Sequence, residues 1–513
     1  MTSRKVILFI FFSSMFTYGC TKLNETVEGN LTPAQVAENS NTAELLRGVY
    51  ASLEHTFTSY QEIFPLSDFT TDEAIAPTRG GDWDDNGSWR VFHQHKWDEN
   101  NSHIRDCFNS LGGVVHTATN MLQYKPTVQE QAEARFIRAW AMYWLLDLFD
   151  QVPYREPGES VVPPAKVRIG MEALNYIISE VNAVEPDLPD GPASVANKYA
   201  AKVLLMKCYL NKAVYGNRAN PIFDPADMNK VISFADEVIN SGEYTFSANY
   251  FDNFAPDNSM VGRENIFTQL SNPDGNYQLA LSWQAVLHYR QGGFNGFTTL
   301  SDFYNKFETT DKRREAAYDY PNSPPNPGRR INLGFLIGQQ YDLNTDAPLE
   351  GVIFTPEVKN IEPGPNLQMP GIRPIKYAPD YLNYNFWNTA GNNFVYLRLA
   401  DVLLMKAEAI LRGGTPTNAG PYGNSALAIV NFIRTDPSRG ATAMSTINHD
   451  SLLDERGREL WWENWRRQDL IRFKKFLRPF QEKDYQSDPK YLLFPIPNDQ
   501  IALNPNLQQN PGY

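Results

Sequence analysis

The sequence predicts a mainly α protein: a tetratricopeptide-like scaffold of helical hairpins carrying a large loop-rich lobe. Three observations lead there. Apolar residues recur at helical spacing in two separate zones of the chain. The segments "YAAKVLLMKCYLNKA" (199–213) and "YLRLADVLLMKAEAILRGG" (396–414) share Leu-Leu-Met-Lys, with small alanines between large side chains, as in closely paired helices. Between the zones, over 243–394, helical periodicity nearly vanishes, and Asn, Gly, Pro and Tyr take over, as in "YPNSPPNPGRR" (320–330). A long stretch without regular periodicity inside a compact chain usually carries function.

The elements follow in chain order. Arg4 and Lys5 precede an apolar run, Val6–Phe12, too short to span a membrane as a stable helix; then comes "MFTYGC", with Gly19 directly before Cys20. This predicts a lipoprotein signal peptide over 1–19, cut before a lipidated Cys20, although Thr17 stands where that pattern prefers Leu. An ordinary secretory signal is the alternative. The region 20–242 contains helices at roughly 33–54, 101–124, 128–149, 169–185, 196–214 and 227–240, with a loop insertion over 70–97. Thr32 and Pro33 open the first helix, and Pro153 follows the end of the third. After the lobe, the region 395–513 holds helices at roughly 395–412, 424–434 and 452–475, the first of them ended by Gly413 and Gly414.

Charge and composition narrow the function. Acidic residues outnumber basic ones, 59 to 46, for a net charge of −13, which argues against nucleic acid as a partner. The three cysteines lie far apart, so no metal-ligand spacing arises, and Cys107 and Cys208 fall in helical patterns, read as packed free thiols with a disulfide as the alternative. The seven histidines form no ligand set; His93 and His95, two apart, suit one face of a strand. No nucleophile motif, metal triad or phosphate loop is visible, and no cofactor is implied.

The densest chemistry is "GRELWWENWRRQDLIRF" (457–473). Read as one helix over 452–473, it pairs Asp454 with Arg458, Glu463 with Arg466 and Arg467, and Arg466 with Asp469 at i,i+3 or i,i+4. Glu459 alone has no basic residue three or four positions ahead of it. Carboxylates held by arginines have depressed pKa values and are poor general acids. A glycosidase needs two carboxyls facing each other across a cleft, roughly 5–10 Å apart. The stretch therefore reads as a structural ion-pair lattice.

"DWDDNG" (82–87) matches the head of a calcium loop, but His93 stands where the bidentate acid is due, so an Asx-rich turn is the better account. Trp83 and Trp89 lie in this insertion. Trp83 has only small polar neighbours, so its indole is a candidate to stack on a sugar ring while nearby acids and amides take the hydroxyls. Either ring could instead fold back onto the helices.

Four ordered segments carry a resemblance: "EARFIRAWAMYWLLDLFDQVPY" (133–154), "YLRLADVLLMKAEAILRGG" (396–414), "ERGRELWWENWRRQDLIRF" (455–473) and "LLFPIPNDQIALNPNLQQNPGY" (492–513). With the lipoprotein start, the chain resembles the SusD/RagB family over nearly its whole length. The resemblance implies a non-catalytic outer-membrane lipoprotein that binds a glycan or other nutrient as a lid over a SusC-type TonB-dependent transporter. It also implies ligand aromatics from the early insertion and from the lobe, where Tyr277, Trp283, Tyr289, Tyr384 and Trp387 stand. Arg373 is a donor fork for hydroxyls or a carboxylate, or a structural salt bridge. Asp68 and Asp72 are possible hydroxyl acceptors, and 292–307 matches a family pattern read as structural. The stretch after Cys20, "TKLNETVEG", lacks an acidic cluster, so a cell-surface orientation is less strongly signalled than lipidation itself. The competing readings are a lipid-anchored glycoside hydrolase and a scaffold with no ligand.

Overall fold

A computed structural model of the chain describes residues 40–271, 283–318, 332–342, 345, 347–380 and 390–513, and Asn41–Tyr513 forms one compact unit. The signal peptide, Cys20, Thr32 with Pro33, Tyr277, 320–330, Tyr384 and Trp387 lie outside the described residues.

The protein is mainly helical. In chain order the long helices of the first zone are α1 (Thr42–Thr58), α2 (Ser102–Met121), α3 (Val128–Phe149), α4 (Gly170–Val184), α5 (Lys198–Gly216) and α6 (Pro225–Asn240). Side-chain caps fix several starts: Asn101 on α2, Asn197 on α5, Asp224 before the N-terminal proline of α6, and a Thr127–Glu130 capping box on α3. From α2 to α6 each helix packs on the next, and α1 lies against α2 and α3. Helix α3 is buried without a break from Phe136 to Phe149, which is why its sequence is apolar around the whole circumference. In the second zone α7 (Leu399–Leu411) packs on α6, on α8 (Ala426–Thr435) and on α9 (His449–Leu460). Cys107 and Cys208 are buried free thiols.

The helix expected over 452–475 is two helices. α9 stops at Leu460, and α10 (Arg466–Arg472) follows a turn in which Trp462 and Asn464 take positive φ angles of 58° and 68°. The ion pairs expected across this point therefore form with distant residues instead. Arg466 holds Asp72 (2.7 Å) and Arg467 holds Asp147 (3.2 Å); within α9, Asp454 pairs with Lys306 in place of Arg458. Glu463 meets Arg398 (2.7 Å) and Lys376. Glu459, with no basic residue three or four positions ahead of it, sits among three guanidiniums: Arg398 and Arg439 at 2.6 Å and Arg313 at 2.9 Å. Glu264 bridges Arg398 and Arg439 from the lobe side (3.2 and 2.8 Å). All five of these groups are fully buried, so the lattice ties the lobe to the second helical zone, while Asp72 and Asp147 tie that zone to the first.

The lobe is built from short antiparallel ribbons. Asn265–Gln269 pairs with Phe394–Arg398, and Asn332–Leu336 lies between Glu315–Ala317 and Arg373–Ile375. Gly338–Tyr341 pairs with Pro348–Phe354. The insertion joins the lobe through Ala74–Ile75, which pairs with Thr298–Thr299. His93 and His95 do not share a strand: His93 ends a short helix and His95 has φ 47°. Each buried ring bonds a backbone carbonyl, of Gln481 and of Thr70, and burial pushes the His93 pKa down to about 4 and that of His95 to about 3.

Candidate functional site

Three loops meet where the insertion joins the lobe: residues 78–90 of the insertion itself, 288–297 and 367–371. The first, residues 78–90, turns tightly where Arg79 and Asp82 exchange backbone hydrogen bonds (2.9 and 3.2 Å). The turn leaves Trp83 with φ 58°, a conformation that costs a non-glycine residue about 1–2 kcal/mol and recurs at functional sites. Packing and one hydrogen bond hold it there. The Trp83 indole N–H donates to the Phe294 carbonyl (3.0 Å), and its ring lies 4.8 Å from Phe297, 5.4 Å from Trp89 and 5.8 Å from Tyr60. One edge of the indole lies on Gly296, where any Cβ would overlap it. Trp83 and Tyr60 are half-buried, whereas Phe294 and Tyr289 are 36% and 47% exposed. Together Tyr60, Trp83 and Phe294 form a partly open aromatic platform on a floor of Trp89, Phe297 and Phe69.

The loops are clipped together from below. Arg79 donates to the carbonyls of Leu367 (2.7 Å) and Pro370 (2.8 Å). Arg373 donates to Asn295 Oδ1 (2.9 Å) and to the carbonyls of Gln368, Pro370 and Gly371. The Asn295 amide returns to Gln368 (2.8 Å to Oε1). Burial lowers both guanidinium pKa values, that of Arg79 to about 10, with Glu362 the opposing charge for each. At the rim, Asp82, Asp85 and Asn86 are exposed, and Gln368 Nε2 approaches Asp82 Oδ2 (3.4 Å). Partial burial raises the Tyr289 phenol pKa, and the nearby Asp82 carboxylate adds to this. Flat rings edged by carboxylates and amides suit a sugar: the rings take its C–H face and the rim takes its hydroxyls.

The predicted residues divide accordingly. Trp83 is on the platform, and Tyr289 is exposed on the same turn as Phe294. Four others are corrected by burial. Trp89, 3% exposed, donates its indole N–H to Asp85 (2.6 Å) and lies 4.0 Å from His103, so it forms the floor. Trp283 is 8% exposed and donates to the Tyr377 carbonyl (3.0 Å). Arg373 is fully buried and engaged by protein acceptors, so it is a clip and not a ligand fork. Asp68 is also fully buried; burial pushes its carboxyl pKa well up, against the pull of Lys376 and Arg466. Asp72 is engaged by Arg466. The "DWDDNG" side chains diverge: Asp84 pairs with Arg90, Asp85 accepts from Trp89 and Asp82 faces Gln368.

Sequence reasoning missed Tyr60, Phe294 and Gln368. Phe294 had a signal: in "GGFNGF" (292–297), glycines on both sides of an aromatic mark a turn that can present the ring. A separate cleft of about 340 Å³ lies between Phe108, Pro153, Val161, Val162 and Leu503, and none of the predicted ligand residues lines it.

Comparison with known proteins finds a match to the SusD family model over residues 232–513. The starch-binding protein SusD of Bacteroides thetaiotaomicron is 24% identical over 515 residues, covering 88% of this chain and 86% of that one. SusD-like protein P2 of Formosa agariphila is 23% identical over 541 residues, covering 96% and 97%. Among solved structures, a SusD superfamily protein from Parabacteroides distasonis aligns with a TM-score of 0.69 at 20% identity, over 94% of this chain and 100% of that chain. A laminarin-binding SusD-like protein aligns with a TM-score of 0.68 at 16% identity, over 93% and 100%.

Proposed function

We propose that this chain, which belongs to the SusD family, is a non-catalytic binder of an oligosaccharide or other nutrient at the outer membrane, anchored through lipid on Cys20 and delivering its ligand to a SusC-type TonB-dependent transporter. The observation that carries the binding role is the partly open platform of Tyr60, Trp83 and Phe294, set on three interlocked loops. Relatives named for binding starch and laminarin support a glycan as the ligand. Binding without hydrolysis is supported by the state of the carboxylates in 457–473. Glu459 is buried among Arg439, Arg398 and Arg313; burial alone would raise its pKa, but the three cations outweigh this and hold it well below the usual range. Such a group cannot donate a proton near neutrality.

Mixing the purified chain with starch, laminarin and xyloglucan oligosaccharides tests the reading. Calorimetric binding with no new reducing ends supports it; release of reducing ends by the purified chain overturns it in favour of a hydrolase. For the transporter, gentle detergent extraction of the tagged chain is expected to recover a TonB-dependent barrel. The lid contact should bury more than about 1,000 Å² to reseal specifically. Recovery of the chain alone, under conditions that preserve other outer-membrane complexes, contradicts delivery.

A further inference from the structure

We propose that the Trp83 platform selects neutral, hydroxyl-rich glycans and discriminates against polyanionic ones, such as uronate or sulfated polymers. This rests on the platform being the glycan site. The argument comes from which charges face outward. Asp82 and Asp85 are exposed on the rim, and Asp84 is 43% exposed. The cations near them are engaged inward. Arg79 and Arg373 lie buried beneath the platform with their donors on protein acceptors, and Arg90 is held by Asp84 and Thr78. Arg290, the exposed guanidinium of the Tyr289 turn, is drawn to the Glu350 carbonyl on Pro348–Phe354.

Among the described residues the Asp82 carboxylate meets one side-chain donor, Gln368, at the long distance of 3.4 Å, so it has acceptor capacity to spare. A carboxylate accepts and never donates when ionised, so its natural partner on a ligand is a hydroxyl, in a charge-assisted hydrogen bond. A uronate or sulfate group at the same place would set like charges side by side, and among the described residues Arg90, the guanidinium beside these acids, is already held by Asp84 and Thr78. Each feature alone is ordinary; the aromatic platform gives the site, and the outward acids give its preference.

The test is calorimetry on the full chain with two panels of similar length. The neutral panel is malto-, laminari- and xyloglucan oligosaccharides; the anionic panel is oligogalacturonate, alginate oligosaccharide and a sulfated carrageenan oligosaccharide. The expected result is binding of at least one neutral probe, weakened about thirtyfold or more by Trp83→Ala and about tenfold or more by Asp82→Asn. Anionic probes should bind at least tenfold more weakly than that probe and gain affinity in Asp82→Asn/Asp85→Asn. Raising salt should leave neutral binding nearly flat while relieving the anionic penalty, because exposed charges are screened over about 10 Å at 0.1 M. Melting curves confirm that the variants are folded, and the Asp82 backbone pairing with Arg79 does not depend on its side chain. A Trp83-dependent anionic probe that binds more tightly than every neutral one overturns the inference and leaves the platform reading standing. A panel with no Trp83-dependent binding overturns both.

Discussion

Replacing Glu459 with Gln tests the buried lattice that joins the lobe to the helices. Glu459 Oε1 lies 2.6 Å from both Arg398 and Arg439, and Oε2 lies 2.9 Å from Arg313, all without solvent contact. A glutamine keeps one acceptor and turns an N–H₂ donor toward guanidiniums, which also only donate. Glu264, Glu463, Asp311 and Glu455 still offset part of the three positive charges. Breaking a buried ion pair from one side costs about 3–5 kcal/mol. A unit the size of Asn41–Tyr513 has an unfolding entropy of about 1 kcal/mol per degree, so the melting temperature should fall by about 3–5 °C at pH 7. The pH dependence has a definite sign. The folded pKa of Glu459 is depressed, so its stabilisation is complete above the unfolded carboxylate value of about 4.5 and is lost as pH falls through the lower folded value. Wild type and Glu459→Gln should therefore converge on acidification. Calorimetric melts at pH 7 and pH 3 read both effects. A shift under about 1 °C at pH 7, or one that widens at pH 3, refutes the reasoning.

Other predictions follow from individual contacts. Trp89→Ala removes a buried floor ring and should cost about 3–5 kcal/mol, read as a melting shift of several degrees; an unchanged melt would return Trp89 to the ligand surface. Gly296→Ala places a methyl against the Trp83 indole, so glycan affinity should drop about tenfold with the scaffold melt largely retained; unchanged affinity would show that the indole position is unimportant. Cys20→Ala should move the protein out of the outer-membrane fraction and change its mobility, and a variant that stays put contradicts lipid anchoring. Acidification should unfold the scaffold between roughly pH 4.5 and pH 2, because burial and then opposing cations set the pKa values of Asp401, Glu408 and Glu455, each to about 2. Flat stability across that window would contradict the ion-pair account.

Much of the scaffold is legible in sequence because long helices write their period, caps and stops locally. The expected helices at 128–149 and 227–240 appear as Val128–Phe149 and Pro225–Asn240, within two residues at each end. Around 461–465 the same logic failed. Helical spacing continues through the tryptophans, but the left-handed Trp462 and Asn464 break the chain, and no local pattern announces them. With the break, the partners of Glu463 and Arg466 pass to Arg398, Lys376 and Asp72, residues far away in sequence. Glu459 looked unpaired for the same reason: its three arginines come from other elements. In the insertion, Trp83 stood out because its sequence neighbours are small and polar, but the rings it packs on, Phe297, Trp89 and Tyr60, meet it only through the fold. Asp68 and Arg373 were misread because polar residues next to loops look exposed until tertiary packing closes over them. Tyr60 lies just beyond α1 and comes to the platform only through the fold.

The central claim is that Trp83 serves a ligand more than the core, and one variant tests it with two readings. Trp83 is half-buried, so Trp83→Ala should lower the melting temperature by only about 1–2 °C, less than Trp89→Ala. An aromatic anchor of a binding site carries about 2 kcal/mol or more, so glycan affinity measured by calorimetry on the folded variant should fall about thirtyfold or more. Retained affinity together with a drop of several degrees would contradict the account and make Trp83 a structural ring.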